Sequence, residues 1–530
     1  MNRATRTDRA RPWPARGDWA GWLLLAALVL LGALLVLKVI DTIQIMIGLF
    51  NWPFQSDESE SMIVAETLLL DRGVDIFGPI TPQQFIAAPY PPLYYLLNWP
   101  FIHVLGPTFK PGRAISLLAT AGVGLGIYAI TWRLTHDRLA GLFGALGWGA
   151  IGIVGFWGAL VKPDMFAVAC GLGGLWWVLR TSEDGRGAVW WALPFFWAAF
   201  YSKQTAIAAA VAACVWLILR HWRTGLLFTG LYALGTAGGY LLLDWLTAGG
   251  FFYHEFTIHD LPWFAGRFVD TLTAWLETYW LLVGVGLLGV LAVFARDAGA
   301  LLREAGVSGL LRRLGRWDTL AAPQGGVLLL GYAGMGVFAA SGVATLGGNH
   351  NHLLDLTAAG CLGFALALAL LRRAPGRVPR AVGALVVLGL CTQVPLLYDT
   401  PHWLGHELRV PPQSVREGMR NIAQYTSNTP GPVYSTNLSV LLATDKWRLN
   451  LWTTDPFTQT HATLLGRWDE SALVQAIREG RFALIILDIN LDNPTDAAGN
   501  LSPGLQAAIR AAYHLDQRNV LNLYKPNGAR

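Results

Sequence analysis

Long apolar runs broken by short arginine-bearing loops fill the first three quarters of the chain, and after Pro411 a mixed polar pattern replaces them. A helix needs about 20 mainly apolar residues to cross the hydrocarbon of a bilayer, and fewer where its ends can snorkel. On that rule the sequence predicts about eleven spans, at 19–40, 114–132, 139–161, 165–179, 187–202, 204–219, 224–243, 274–295, 324–346, 354–371 and 381–398. Beyond them it predicts a polar helix at 413–426, a strand at 432–436 and a helix at 470–479. A buried strand, Phe482-Ala-Leu-Ile-Ile-Leu-Asp488, a helix at 503–513 and a strand at 519–524 follow. Strands alternating with helices indicate a small α/β unit. The fold class expected is therefore an α-helical polytopic membrane protein with a small C-terminal α/β soluble domain. The domains are a cytoplasmic tail at 1–18, a transmembrane module at 19–398 with a long outer loop at 41–113, and an extracytoplasmic domain at 399–530.

Lysine and arginine set the orientation. With the N-terminus in the cytoplasm, the inner loops receive Arg3, Arg6, Arg9, Arg11 and Arg16, then Arg133 with Arg138, Arg180 with Arg186 and Arg220 with Arg223. The clusters at 296–316 and 372–380 fall on the same side, and the outer segments hold far fewer basic residues. The C-terminal domain is then outside, at a plasma membrane. Within 41–113, the proline-interrupted stretch from Tyr90 to Pro100 reads as an interfacial or re-entrant helix, because a span there would reverse every later loop.

Composition agrees with a partly lipid solvent. Only 14% of the 530 residues are charged and 54% are hydrophobic, and the 24 Trp suit two membrane–water interfaces. The run from Trp19 to Leu37 exceeds a signal-peptide core and reads as a retained anchor. Four cysteines lie inside apolar runs, which argues against disulfides and Cys-metal sites. The net charge of +5 is spread over short loops as a topology signal, so no nucleic-acid partner is expected.

The informative polar residues fall at the outer helix ends. Ser56-Asp57-Glu58-Ser59-Glu60 opens a helix, where a carboxylate also serves as a cap. Val161-Lys162-Pro163-Asp164 and Tyr201-Ser-Lys203-Gln-Thr205 occupy two outer turns, where a capping Asp and a snorkelling Lys are the ordinary readings. The segment Phe251–Phe264 is rich in aromatic rings and includes His254, Glu255, His259 and Asp260, in a spacing that matches no metal motif. Gly347-Gly-Asn349-His350-Asn-His-Leu-Leu-Asp355 permits a break where a helix re-enters the membrane. Asp57, Asp164, Lys203, His254 and Asn349 share one membrane face despite their separation in sequence, which points to a common outer cavity.

Together these segments resemble the GT-C glycosyltransferases that take sugar from a polyprenyl phosphate, especially the branch with protein O-mannosyltransferases and lipid A aminoarabinose transferases. Asp57-Glu58 looks like the family's acidic pair, and Tyr90-Pro-Pro-Leu-Tyr-Tyr95 is similar to its His-Pro-Pro-Leu-Gly-Lys element, with Tyr90 and Tyr95 departing from its His and Lys. Gly112-Arg113-Ala-Ile-Ser116, Lys162-Pro-Asp164, Ser202-Lys-Gln-Thr205 and Asn349-His-Asn-His-Leu-Leu-Asp355 resemble further family elements in order. The resemblance implies inverting transfer to an acceptor hydroxyl, with Asp57 as general base and Asp164 beside it. Lys203, Lys162 and Arg113 would meet the donor phosphate, and Glu58, Tyr90, Asn349 and His350 would line the substrate cavity. The partners are a polyprenyl-phosphate-linked sugar, an unknown lipid, glycan or protein acceptor, and membrane lipids. No cofactor is required by this scheme; a divalent metal ion stays an option, with Glu58, His254 and His259 as candidate ligands. The competing classes are a polytopic transporter or lipid flippase, which intramembrane charges would favour, and an outer-surface binding protein that uses its membrane part as an anchor.

Overall fold

The computed structural model describes residues 14–528 apart from 16, 182–187, 317–324, 399–409, 449–450 and 494–498. Most of the expected tail at 1–18, and the start of the domain expected at 399, therefore lie outside the described residues.

Helix α1 (Trp19–Phe50) opens on Asp18, whose carboxylate accepts from Gly21 N, and runs 32 residues. It is followed by α2 (Glu58–Asp71), α3 (Pro92–Leu105), α4 (Lys110–Thr135), α5 (Arg138–Gly149), α6 (Gly152–Trp157), α7 (Asp164–Thr181), α8 (Leu193–Ser202) and α9 (Ala208–Arg220). Then come α10 (Trp222–Leu246, with a π-helical stretch inside), α11 (Ala265–Arg316, broken at Tyr279 and Gly306), α12 (Gly326–Ala340), α13 (Leu354–Arg372) and α14 (Arg377–Tyr398). Seven helical stretches among the described residues are long and apolar enough to cross a membrane.

Burial sorts these helices. The apolar window of α1 is 28% buried and shows the rest to its surroundings, whereas the window at His350–Arg372, which ends in α13, is 83% buried. Hydrophobic on all sides, α13 is the central post of the bundle. It packs against α11 so closely that a Cβ on Gly363 would sit 2.2 Å from the Gly286 carbonyl oxygen, and one on Gly289 2.1 Å from that of Gly363. Between helices in lipid there is no hydrophobic drive, and small residues hold the pair by backbone contact.

The span expected at 139–161 is broken. Helix α5 ends at Gly149, Ile151 is extended, and α6 is a separate helix of six residues. Glycine recurs at 141, 144, 147, 149, 152, 155 and 158, and such a run is a poor continuous helix former. The interruption survives because residues 150–165 are buried in protein almost without exception, where their backbone polar groups can be satisfied.

Residues 413–526 hold α15 (Gln413–Asn428), β1 (Val433–Ser435), α16 (Leu438–Ala443), α17 (Pro456–Leu464), α18 (Ser471–Arg478), β2 (Leu484–Leu487), α19 (Pro503–Ala512), β3 (Tyr513–Arg518) and β4 (Asn522–Pro526). The sheet order is β1-β2-β4-β3, with β1 and β2 parallel and the other pairs antiparallel. This unit is joined to the helical part by a shared core, in which Met62 and Leu68 of α2 meet Leu441, Trp447 and Leu484. It also forms a short parallel bridge from Phe85 to Thr453, where Phe85 N donates to Trp452 O (2.8 Å) and Thr454 N to Phe85 O (2.9 Å).

Candidate functional site

The end of the bundle where α1 finishes at Phe50 is organised by one buried ion pair. Arg113, at the start of α4, grips Glu60 of α2 with two nitrogens, Nε to Oε1 and Nη2 to Oε2, each at 2.9 Å. Its remaining hydrogens go to the backbone carbonyls of Leu49 (2.6 Å), Trp52 and Phe54 (2.8 Å). Glu60 in turn accepts from Ser56 N (2.8 Å) and Val161 N (2.9 Å). Both side chains are fully buried. A buried charge pair of this kind is tolerable when every remaining hydrogen-bonding position is filled, as it is here. Arg113 is thus a clasp that ties together the end of α1, the start of α2, α4 and the turn after α6, and it has no hydrogen left to offer a phosphate.

The clasp fixes the two residues next to its ends. Asp57, three positions before Glu60, is the N-cap of α2, and its Oδ1 accepts from Ser59 N (3.1 Å) and Ser59 Oγ (2.6 Å). Lys162, one position after Val161, places its ammonium 3.1 Å from the same Oδ1 and 4.8 Å from the centre of the Trp157 ring. Burial by itself would lower the Lys162 ammonium, but Asp57, then Tyr90 and Asp164, hold it well above the usual lysine range. Tyr90 is half-buried and within electrostatic reach of Lys162, Asp164 and Asp57, and burial pushes its phenol up.

A second pair lies one turn away. Asp164 begins α7, and its Oδ1 accepts from Lys203 Nζ at the end of α8 and from Asn351 Nδ2 (2.8 Å) ahead of α13. The residue after Lys203, Gln204, donates to Pro89 O (2.9 Å), which ties this turn to the segment carrying Tyr90. Lys203 is 8% exposed, so it does not reach out to water as an ordinary outer lysine would. The pair lines a small cavity with Thr205, Asn351, His352 and Asp355.

The structure brings Asp57, Lys162, Asp164, Lys203 and Tyr90 together, with Glu58 adjacent as the first residue of α2. Asn349 instead caps the turn His350–Leu353, its Oδ1 accepting from His350 N (2.8 Å), and the residues lining the cavity are Asn351 and His352. Among the described residues no three His, Cys, Asp or Glu are arranged to hold a metal ion, so Glu58, His254 and His259 do not form the metal set that the sequence offered. His254 has both ring nitrogens occupied, Nδ1 by Ala88 N (3.2 Å) and Nε2 by Gly78 O (2.8 Å), and burial lowers it to about 4. His259 Nδ1 faces His254 O (2.6 Å) and its Nε2 lies 3.8 Å from Asp455. Glu60 was missed because its position reads as a helix-start carboxylate, and only the fold reveals its partner.

Beside α8 runs an apolar groove of about 690 Å³ between α9 and α10, lined by Phe200, Val211, Val215, Ile218, Tyr240 and Leu241 among others. Phe200 of this lining lies near the end of α8 that Lys203 caps.

Residues 89–244 match the model of the family described as dolichyl-phosphate-mannose-protein mannosyltransferase. The fold is similar to that of ArnT from Cupriavidus metallidurans in the apo state, with 14% identity, 92% of this chain and 97% of that chain covered, and a TM-score of 0.55. The same protein bound to undecaprenyl phosphate gives 14% identity, 93% and 98% coverage, and a TM-score of 0.55. The chain shares the fold of ArnT. An Archaeoglobus fulgidus oligosaccharyltransferase in complex with Zn and sulfate is similar at 13% identity and a TM-score of 0.53, over 93% of this chain and 73% of that one. No curated protein matches the sequence at a significant level. Within this shared fold, the family match covers the Tyr90 segment, the clasp residue Arg113, and both Lys162-Pro-Asp164 and Lys203.

Proposed function

We propose that the chain is a membrane glycosyltransferase that moves a sugar from a polyprenyl phosphate to an acceptor hydroxyl at the Phe50 end of the bundle. The observation that carries this reading is the pairing of two lysine–carboxylate contacts, half-buried Asp57 with buried Lys162 and buried Asp164 with buried Lys203, together with an apolar groove whose lining includes Phe200 of α8. The donor lipid has two parts with opposite demands, a long apolar chain and a phosphate that is singly charged while it carries the sugar and gains charge as it leaves, and the groove suits the first and the ammonium groups the second.

In this reaction the acceptor oxygen forms a bond to the anomeric carbon while the bond from that carbon to the phosphate oxygen breaks on the opposite face, inverting the centre. The Asp57 carboxylate takes the hydroxyl proton, and the released polyprenyl phosphate keeps the electron pair. Asp57 is suited to this because the clasp fixes its backbone while Ser59 and Lys162 occupy only Oδ1 in the contacts seen. Lys203 and Lys162 offset the charge that grows on the leaving phosphate. Arg113 stands outside this donor set and acts through position alone.

The same reading carries the topology. The shorter helices α7, α8 and α9 and the interrupted α5–α6 complete about eleven crossings. The arginine clusters place the Asp18 end of α1 in the cytoplasm, and so put the site and residues 413–526 on the extracytoplasmic face of the plasma membrane. Purified full-length protein in nanodiscs, supplied with undecaprenyl-phosphate sugars and a membrane extract as acceptor source, should transfer label to the extract. Movement of the lipid across the bilayer without any transfer would point to the flippase class instead.

A further inference from the structure

Both contacts to the Asp164 side chain converge on Oδ1, from Lys203 and from Asn351 Nδ2. Asp164 Oδ2 and Asn351 Oδ1 are buried and find no hydrogen-bond partner among the described residues. The two residues are 2% and 7% exposed, so bulk water does not satisfy them. They line the same small cavity as Lys203, Thr205, His352 and Asp355, with about 20 Å³ of room. A site needs some 10–15 Å³ to hold one water-sized group, so this space takes a single hydroxyl or water and no ring. Leaving a buried acceptor without a donor is costly, and more so when it is charged. The cavity is therefore incomplete as it stands, and what completes it must donate hydrogen to a carboxylate beside a lysine.

We infer that this cavity is a one-hydroxyl subsite for the sugar of the lipid donor, in which a ring hydroxyl enters between Asp164 Oδ2, Asn351 Oδ1 and the Lys203 ammonium. A hydroxyl carries one hydrogen, which it gives to one of the two open acceptors, Asn351 Oδ1 or Asp164 Oδ2, while its oxygen receives from the Lys203 ammonium; a second anion or a methyl group offers neither acceptor a hydrogen bond. The inference rests on the donor assignment above and adds to it: Asn351 becomes a specificity residue that recognises the sugar, while Lys203 serves the phosphate. A pocket built around a substrate hydroxyl rejects the analogue lacking it far more strongly than an apolar pocket rejects a missing methylene.

The experiment measures binding of undecaprenyl phosphate, undecaprenyl-phosphate mannose and its monodeoxy analogues to the full-length protein in nanodiscs. In wild type, one deoxy analogue should bind at least tenfold more weakly than the parent. In Asn351→Leu that difference should vanish while undecaprenyl phosphate binds as before. The inference is overturned if mannose adds no affinity over undecaprenyl phosphate, if every deoxy analogue binds like the parent, or if Asn351→Leu weakens undecaprenyl phosphate equally. The deoxy series in wild type decides the matter even where Asn351→Leu fails to fold, and parent-like binding throughout would mean a bound water only. Failure of wild type to bind any of these lipids would bring down the donor assignment, and the subsite with it.

Discussion

Arg113 and Lys203 looked alike in the sequence, as lone cations at helix ends facing the same side, and the fold gives them different work. Arg113 spends its whole guanidinium on Glu60 and three carbonyls, a planar fork arrangement that an ammonium cannot copy. Arg113→Lys should therefore lose about 3–5 kcal/mol, the usual cost of breaking a buried pair, seen as a lower thermal midpoint in detergent. Lys203 holds its charge against Asp164, and Lys203→Gln keeps a hydrogen bond to Asp164 while removing that charge. Its undecaprenyl-phosphate affinity should fall at least tenfold in the folded protein, together with a lower thermal midpoint, since Asp164 is left buried without its cation; unchanged affinity would take Lys203 out of the donor site. Residue types in outer turns were legible in the sequence; their partners were not, since Glu60 and Arg113 are 53 positions apart. The cavity residues in the Asn349–His352 turn were misplaced by two positions, because a tight turn sets which side chains face inward and apolar spacing does not reveal it.

The apolar runs announced most helices, and their lengths were set by features that hydropathy does not weigh. Helix α1 continues ten residues past the expected end at 40, and the run at 139–161 is split by its glycines. The strand β3 was hidden because Tyr513–Arg518 is mostly polar and joins the sheet through its neighbour β4 alone. Close packing of α11 on α13 was equally invisible, since glycine at 286, 289 and 363 reads as one of many in an apolar run. Gly363→Val would press a side chain into the Gly286 carbonyl, and overpacking of this kind costs about 1–3 kcal/mol or more. We expect reduced yield of monodisperse protein and a lower melting temperature, while Gly360→Ala, whose Cβ meets nothing within 4 Å, should behave as wild type.

For the whole molecule, charge asymmetry implies a single orientation. A tag after residue 530 should react with impermeant reagents in sealed cells and a tag at 300–315 should not; equal protection of both would overturn the orientation. The same asymmetry leaves the opposite end of the bundle to structural pairs such as Arg372 with Asp137 and Arg380 with Asp18. The proposed chemistry then lies at the end where residues 413–526 meet the helices, through the Phe85–Thr453 bridge and the core shared with α2.

The most direct test of the account is the transfer rate of Asp57→Asn. Asparagine caps a helix about as well as aspartate, so α2 and the clasp below it should survive, while the oxygen that takes the proton loses its basicity. With undecaprenyl-phosphate sugars and a membrane extract, the folded variant should bind the donor lipid as wild type does and transfer about 10²- to 10⁴-fold more slowly. Transfer at the wild-type rate by folded Asp57→Asn would contradict the assignment of Asp57 as the base, and with it the proposed mechanism.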